Sequence, residues 1–152
     1  ITILSDGTPW RPLIHIKDMA RAIDWGIRRD AKNGRHFLVV NAGSDSWNLQ
    51  VKDLAEAVAK QIPGTEISVN KQAAPDKRSY RVNFGLFRSL APDHQPLMNL
   101  EAAVRELKEG FEAMNFRDAD YRNSGLIRLK VLTSLRNQGL LDEKLRWDRK
   151  VE

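Results

Sequence analysis

The chain has 152 residues, no cysteine, and 25 basic against 20 acidic side chains, for a net charge of +5. The lack of cysteine excludes disulfides, thiolate metal sites and a cysteine nucleophile, and the apolar runs are far shorter than the roughly 18 residues of a membrane-spanning helix. Hydrophobic residues make up 41% and charged residues 30%, which is typical of a soluble globular domain, so we expect a cytoplasmic protein that binds no membrane.

The first third of the chain alternates between strand and helix patterns. Short strands are predicted over 1–4, 13–16 and 36–41. The apolar run of the third strand lacks alternation, which is typical of a strand buried on both faces of a mostly parallel sheet. Asp18 is suited to cap a helix that follows the second strand, because apolar residues recur behind it at helical spacing as far as Ile27.

The middle of the chain predicts one clear helix and two strands. The helix covers 51–62, where apolar residues fall at i, i+3, i+4, i+7 and i+8. The strands cover 66–70 and 79–84. Because side chains alternate along a strand, Arg81 and Asn83 would share one face, which could receive a polar ligand or be solvated.

The last third of the chain is predicted to be helical. One helix covers 99–114 with Asn99 as its cap, and another covers about 124–137 and ends at Gly139. We expect Trp147 to seal a packing contact near the end of the chain. The element order therefore predicts an α/β fold of short strands with covering helices and a helical C-terminal tail.

Several catalytic motifs are missing from the sequence. There is no glycine-rich dinucleotide turn, no Walker motif and no complete Gly-x-Ser-x-Gly frame. Neither Tyr80 nor Tyr121 is followed four residues later by lysine, and the three histidines have no i, i+4 partner that would form a zinc pair on a helix. His15 is expected to be a hydrogen-bonded packing residue rather than a catalytic base. The chain by itself therefore predicts no catalytic residue and no metal site.

Arginines give the most specific chemical signal. Arg11 stands next to Trp10 on a loop stiffened by prolines, where a guanidinium fork would match phosphate oxygens. The alternative is a surface arginine that covers Trp10. Arg78 and Arg81 form a second basic group beside Asp76.

Four segments resemble the extended short-chain dehydrogenase/reductases, which are NAD-dependent nucleotide-sugar epimerases and dehydratases. Residues 6–20 are similar to their pattern Gly-x-x-x-Arg-x-x-x-His-Val-x-Asp, with isoleucine in place of the valine. Residues 39–44, 76–84 and 139–147 resemble later segments of the family, with Asn83 where aspartate is more usual.

The resemblance implies that residues 1–152 form the C-terminal, substrate-binding portion of an extended Rossmann-type reductase. The NAD-binding domain, with its Gly-x-x-Gly-x-x-Gly turn and Tyr-x-x-x-Lys pair, would then precede Ile1, and this portion alone would be inactive. By position, Arg11 would contact the diphosphate of a nucleotide sugar. Asp76, with Arg78 and Arg81 beside it, would contact the substrate nucleotide.

Two expectations concern partners. If the strand at 36–40 normally joins a larger sheet, its open edge would invite pairing, which predicts a homodimer. The alternative function is a free-standing basic module that binds nucleic acid or another polyanion. That alternative needs basic side chains and stacking aromatics on one face, and the four tryptophans are spread along the chain, so we expect no nucleic-acid partner.

Overall fold

The computed structural model describes residues 1–32, 34–73 and 78–147. The chain divides into two compact units, residues 1–110 and 111–152. The described strands are β1 (Thr2–Ile3), β2 (Trp10–Pro12), β3 (Asn48–Gln50) and β4 (Ser68–Val69). The described helices are α1 (Ile16–Arg28), α2 (Val51–Gln61), α3 (Gly85–Leu90), α4 (Leu100–Ala113) and α5 (Arg128–Asn137). This is the α/β fold that the sequence predicts, and no described helix is long and apolar enough to cross a membrane.

The strands form two small sheets. β1 pairs in parallel with β4, and β2 pairs antiparallel with β3, so that Arg11 lies opposite Leu49. The strands predicted at 1–4 and 66–70 are therefore confirmed as β1 and β4. The Asp6-Gly7 turn joins β1 to β2, with Gly7 at a φ of +82°, a conformation that costs glycine little.

The main core of the first unit lies between α1 and α3. Trp25 and Phe87 meet edge to face with their ring centroids 5.5 Å apart, and Ala22 and Ala91 complete the buried cluster. Burying two large rings supplies several kcal/mol of hydrophobic stabilisation, on the order of 2 kcal/mol per side chain.

The predicted strand at 36–41 is wrong. The segment is not a strand, and only one of its sides is covered: Leu38 and Val40 pack against the core, whereas Phe37 is 83% and Val39 77% exposed. No backbone N–H or C=O of residues 37–42 is hydrogen-bonded to another described residue. The apolar run predicts a strand buried on both faces, but no neighbouring strand in the described chain covers its second face.

The predicted strand at 13–16 is also wrong, because β2 lies three residues earlier and α1 begins at Ile16. His15, and not Asp18, caps this helix: its Nδ1 accepts a hydrogen bond from the Lys17 N–H at 3.3 Å. The expectation that His15 is a hydrogen-bonded residue is therefore confirmed. A helix cap needs an acceptor directed at the free N–H groups of the first turn, and the histidine ring supplies it here.

Asp18 instead joins two distant parts of the first unit. Its side chain is 2% exposed and accepts hydrogen bonds from the N–H groups of Leu97 at 2.9 Å and Met98 at 3.1 Å. The indole N–H of Trp47 donates to the Met98 carbonyl at 3.0 Å. The segment before α4 is thus fixed from both sides, which satisfies a carboxylate that would be costly to bury alone.

The remaining helices lie where the pattern predicts them. α2 and α4 match the predicted ranges, and Asn99 caps α4 by accepting from the Ala102 N–H at 2.8 Å. In the second unit, α5 lies within the predicted range and is followed by Gly139 at a φ of +72°. The expected packing role of Trp147 is wrong, because its side chain is 68% exposed and only its backbone bridges to Leu141.

Candidate functional site

Three of the four predicted site residues lie together along β2. One guanidinium nitrogen of Arg11 donates to the carbonyls of Trp10 and Arg78, both at 2.8 Å. The Trp10 N–H donates to the Ser79 hydroxyl at 3.0 Å. The guanidinium carbon of Arg81 lies over the Trp10 ring, 4.6 Å from its centroid. The segment that begins at Arg78 is therefore laid against β2 by side chains, which brings three arginines to one region.

The strand predicted at 79–84 is wrong, and Asn48 gives the reason. Its buried amide donates to the Val82 carbonyl at 3.0 Å and accepts from the Val82 N–H at 2.9 Å. One side chain thus takes the place of a neighbouring strand at this residue. This side chain supports the segment, but no backbone ladder is formed with it in the described chain.

Arg11 fixes the backbone as well as carrying a charge. Its side chain is partly buried, and its two carbonyl contacts join β2 to residue 78. The interpretation of Arg11 as an arginine that merely covers Trp10 is not what the structure shows, because Arg81 is the cation over that ring. Whether Arg11 binds phosphate stays a prediction. Asp76, the fourth predicted site residue, lies outside the described residues.

An apolar cavity of about 650 Å³ adjoins this region. It lies between β1 and α2, and Arg78 is one of its lining residues. The other lining residues are Ile1, Thr2, Ile3, Leu4, Ser5, Val51, Leu54, Ala55 and Val58. A cavity of this size with apolar walls and a cation suits a ligand that has a flat apolar part and an anionic part.

A smaller polar cavity of about 350 Å³ lies on the other side of Asn48 and Val82. Its lining comprises Asp45, Asn48, Arg81, Val82, Asn83 and Arg88. Arg81 and Asn83 thus share one cavity, although they do not belong to a strand. Sequence reasoning missed Asp45 and Arg88, which form an ion pair at 3.1 Å across 43 positions of sequence. No local spacing signals such a pair.

Gly43 seats the segment that lines the polar cavity. Its φ is +153°, and a Cβ built on it would lie 2.6 Å from Cε1 of Phe84. Phe84 is 5% exposed, and its N–H donates to Asp45 Oδ1 at 3.4 Å. Only glycine therefore allows the Phe84 ring to approach residue 43 so closely.

A cluster of titratable side chains joins the start of α1 to α4. Lys17 Nζ lies 2.7 Å from Glu106 Oε2, and His15 Nε2 lies 3.6 Å from Glu106 Oε1. The hydrogen bond from Lys17 lowers the pKa of Glu106 below its usual value. Among the described residues, no group of three or more potential ligands could hold a metal ion.

The fold and these contacts define an α/β protein with an arginine-bearing site built on β2. Residues 1–43 match the sequence model of the NAD dependent epimerase/dehydratase family. The matched stretch carries β1, β2 with Arg11, and α1, and it ends at Gly43. This part of the chain is thus similar to a family of NAD-dependent enzymes. No curated protein and no solved structure matches the chain.

The residues of this chain do not fit the dinucleotide that the family name implies. The nine glycines are scattered, and no three of them have the spacing of a dinucleotide turn.

Proposed function

We propose that this chain is the substrate-binding portion of an NAD-dependent nucleotide-sugar epimerase or dehydratase. The observation that carries the proposal is that the guanidinium groups of Arg11 and Arg81 lie at β2, where Arg11 also binds the Arg78 carbonyl. Arg11 lies inside the stretch that matches the family. Guanidinium groups stay charged and can bind two phosphate oxygens at once. Their arrangement suits a nucleoside diphosphate.

A nucleoside diphosphate has an apolar base and an anionic diphosphate, and the proposed site combines an apolar cavity with arginines. A flat base would enter the apolar cavity between β1 and α2, where burial of its faces is favourable. The diphosphate would then lie towards Arg78 and Arg11, which donate charge-assisted hydrogen bonds. Asp76 would contact the nucleotide, and Arg81 would support the same region from its stack on Trp10.

The role of this chain in the reaction is to bind and orient the nucleotide sugar. The chain has neither the glycine-rich turn nor a Tyr-x-x-x-Lys pair, so we assign NAD binding and proton transfer to another part of the enzyme. The chain alone should therefore bind ligand weakly and turn over no nucleotide sugar.

Calorimetry tests this proposal with uridine and thymidine 5′-diphosphates, against the corresponding nucleosides as the uncharged comparison. We expect weak binding of a diphosphate, no binding of the nucleoside, and a loss of about tenfold in affinity for Arg11→Gln. Arg28→Gln, on an exposed arginine of α1, is the matched control. Equal affinity for nucleoside and diphosphate, or turnover by this chain with NAD, would contradict the proposal.

We also propose that the chain forms a homodimer through an apolar face on its first unit. The face consists of Ile16, Met19, Ile23 and Ile27 on α1, with Phe37 and Val39 beside them, all at least 41% exposed. The four α1 residues follow helical spacing, and Met19, Ile23 and Phe37 line one groove.

A second copy of the chain is the occupant that this face suits. Its six side chains expose on the order of 700 Å² of apolar surface, close to the roughly 800 Å² that each partner contributes to a standard interface. The unpaired backbone of residues 37–42 adds an edge that the same segment of a second copy can pair with about a two-fold axis. Light scattering at rising protein concentration should show a dimer, and a constant monomer mass would overturn the proposal.

A further inference from the structure

The polar cavity has an excess of positive charge that the proposed function, which uses only Arg81 of its lining, does not explain. Two guanidinium groups, those of Arg81 and Arg88, face one carboxylate, that of Asp45. Both oxygens of Asp45 already accept hydrogen bonds, Oδ1 from the Phe84 N–H and Oδ2 from Arg88. The carboxylate therefore orients Arg88 and is itself satisfied, which leaves the cavity with an excess of positive charge.

Arg81 is held in place without a carboxylate. Its guanidinium lies over the Trp10 ring at 4.6 Å, and none of the described carboxylates forms an ion pair with it. Stacking uses the flat face of the guanidinium and leaves the N–H groups at its edge directed outwards. Because the side chain is already ordered, less conformational entropy is lost when an anion binds.

The backbone beneath the two arginines is also fixed. Asn48 holds both polar groups of Val82, and the Asn83 side chain accepts from the Gly85 N–H at 2.7 Å. Arg81 and Asn83 stand on either side of the clamped residue, and both line the same cavity. The amide of Asn83 therefore stands next to the cationic groups, where it can supply a further donor.

We infer that the polar cavity is an anion-binding site that takes a phosphoryl group, through the guanidinium groups of Arg81 and Arg88. The volume of about 350 Å³ is at the small end of ligand pockets, which suits a phosphoryl group with part of the molecule that carries it. Two guanidinium forks match its tetrahedral oxygens. The site shares Arg81 with the proposed diphosphate site and is otherwise distinct from it, because Asp45, Asn83 and Arg88 have no part in that site.

Titration of the full chain with inorganic phosphate at constant ionic strength tests the inference, with the arginine side-chain N–H signals followed by NMR. We expect saturable shifts of the Arg81 and Arg88 signals and a loss of about tenfold in affinity for Arg81→Gln and for Arg88→Gln. Arg28→Gln, whose arginine is also paired with a carboxylate, should bind phosphate as the wild type does.

Two further arms keep the result interpretable. Arg88→Lys retains the positive charge but not the planar guanidinium, so its phosphate affinity should lie between those of the wild type and Arg88→Gln. If the Arg88 variants unfold, Arg81→Gln tests the site by itself, because Arg81 is exposed. Titration with uridine 5′-diphosphate shows whether the site takes free phosphate or a phosphoryl group carried by a larger ligand. In the second case the diphosphate would shift the Arg81 and Arg88 signals at a lower concentration than inorganic phosphate does. Shifts that do not saturate, or affinity unchanged in both glutamine variants, would overturn the inference. Diphosphate binding that depends on Arg11 alone would leave the proposed function intact.

Discussion

Two segments of the first unit, 36–42 and 78–84, have strand-like sequences, and neither is a strand. The second is held by side chains: Asn48 binds Val82, and Arg11 binds the Arg78 carbonyl. The first has no such support from the described chain for residues 37–42. Residues of the 78–84 segment line both cavities. The backbone of residues 37–42 forms no hydrogen bond within the described chain. The difference lies in distant polar side chains.

The largest effect is expected from removing the Asn48 clamp. Asn48→Leu leaves the N–H and C=O of Val82 without partners, and each unsatisfied group costs about 1–3 kcal/mol. We expect the free energy of unfolding to fall by about 2–4 kcal/mol, measured by urea denaturation. Asn137→Leu, at an exposed position of α5, is the control and should stay within about 0.5 kcal/mol of wild type. Equal stability of the two variants would show that the clamp contributes nothing.

A second test changes the packing of Gly43 against Phe84, at the end of the 78–84 segment. Gly43→Ala places a Cβ 2.6 Å from the Phe84 ring, so either the ring or the backbone must shift. Overpacking of this kind costs about 1–3 kcal/mol, which urea denaturation would detect. Gly110→Ala in α4 meets no atom within 4 Å and should be neutral or stabilising by up to about 1 kcal/mol. If Gly43→Ala behaves like Gly110→Ala, the close approach of Phe84 is not important.

The unpaired segment is tested through self-association. Phe37→Glu places a charge on the proposed dimer face and should weaken the dimer by about tenfold or more, because a buried unpaired carboxylate is costly. Sedimentation equilibrium measures the change. Leu129→Glu, at an exposed leucine of the second unit, should leave association unchanged. The same loss in both variants would indicate a non-specific effect of charge.

The smallest effect concerns the Glu106 cluster. Its pKa is lowered in the folded chain, chiefly by the hydrogen bond from Lys17, so its contribution to stability is present above the unfolded pKa of about 4.3 and is lost as pH falls through the folded value. Lys17→Met should raise the pKa of Glu106 towards normal and make the loss of stability below pH about 4.3 slightly shallower. NMR titration of Glu106 measures the shift. Lys71→Met, at an exposed lysine, should leave the pKa of Glu106 unchanged.

The sequence predicted those parts of the fold that depend on local pattern. The periodicity of α2 and α4 and the Asn99 cap are local features, and each was located correctly. The strands predicted at 13–16, 36–41 and 79–84 were wrong, because a strand depends on a partner elsewhere in the chain to pair with. Nothing near residue 82 signals that Asn48, 34 positions away, takes the place of a ladder.

The sequence predicted part of the candidate site. Arg11, Arg78 and Arg81 were recognised from loop chemistry and from family resemblance, and the structure brings them together. Asp45 and Arg88 were missed, since an ion pair across 43 positions has no local pattern. The polar cavity brings together residues that are far apart in the sequence, so it could not be predicted before the fold was known.

The most direct test of the central claim follows the side-chain N–H signals of Arg11 and Arg78 by NMR during titration with uridine 5′-diphosphate. The account predicts saturable shifts of both signals, while the Arg28 signal on α1 stays unchanged. Shifts of Arg28 equal to those of Arg11, or no saturation at constant ionic strength, would contradict the claim that β2 carries a diphosphate site.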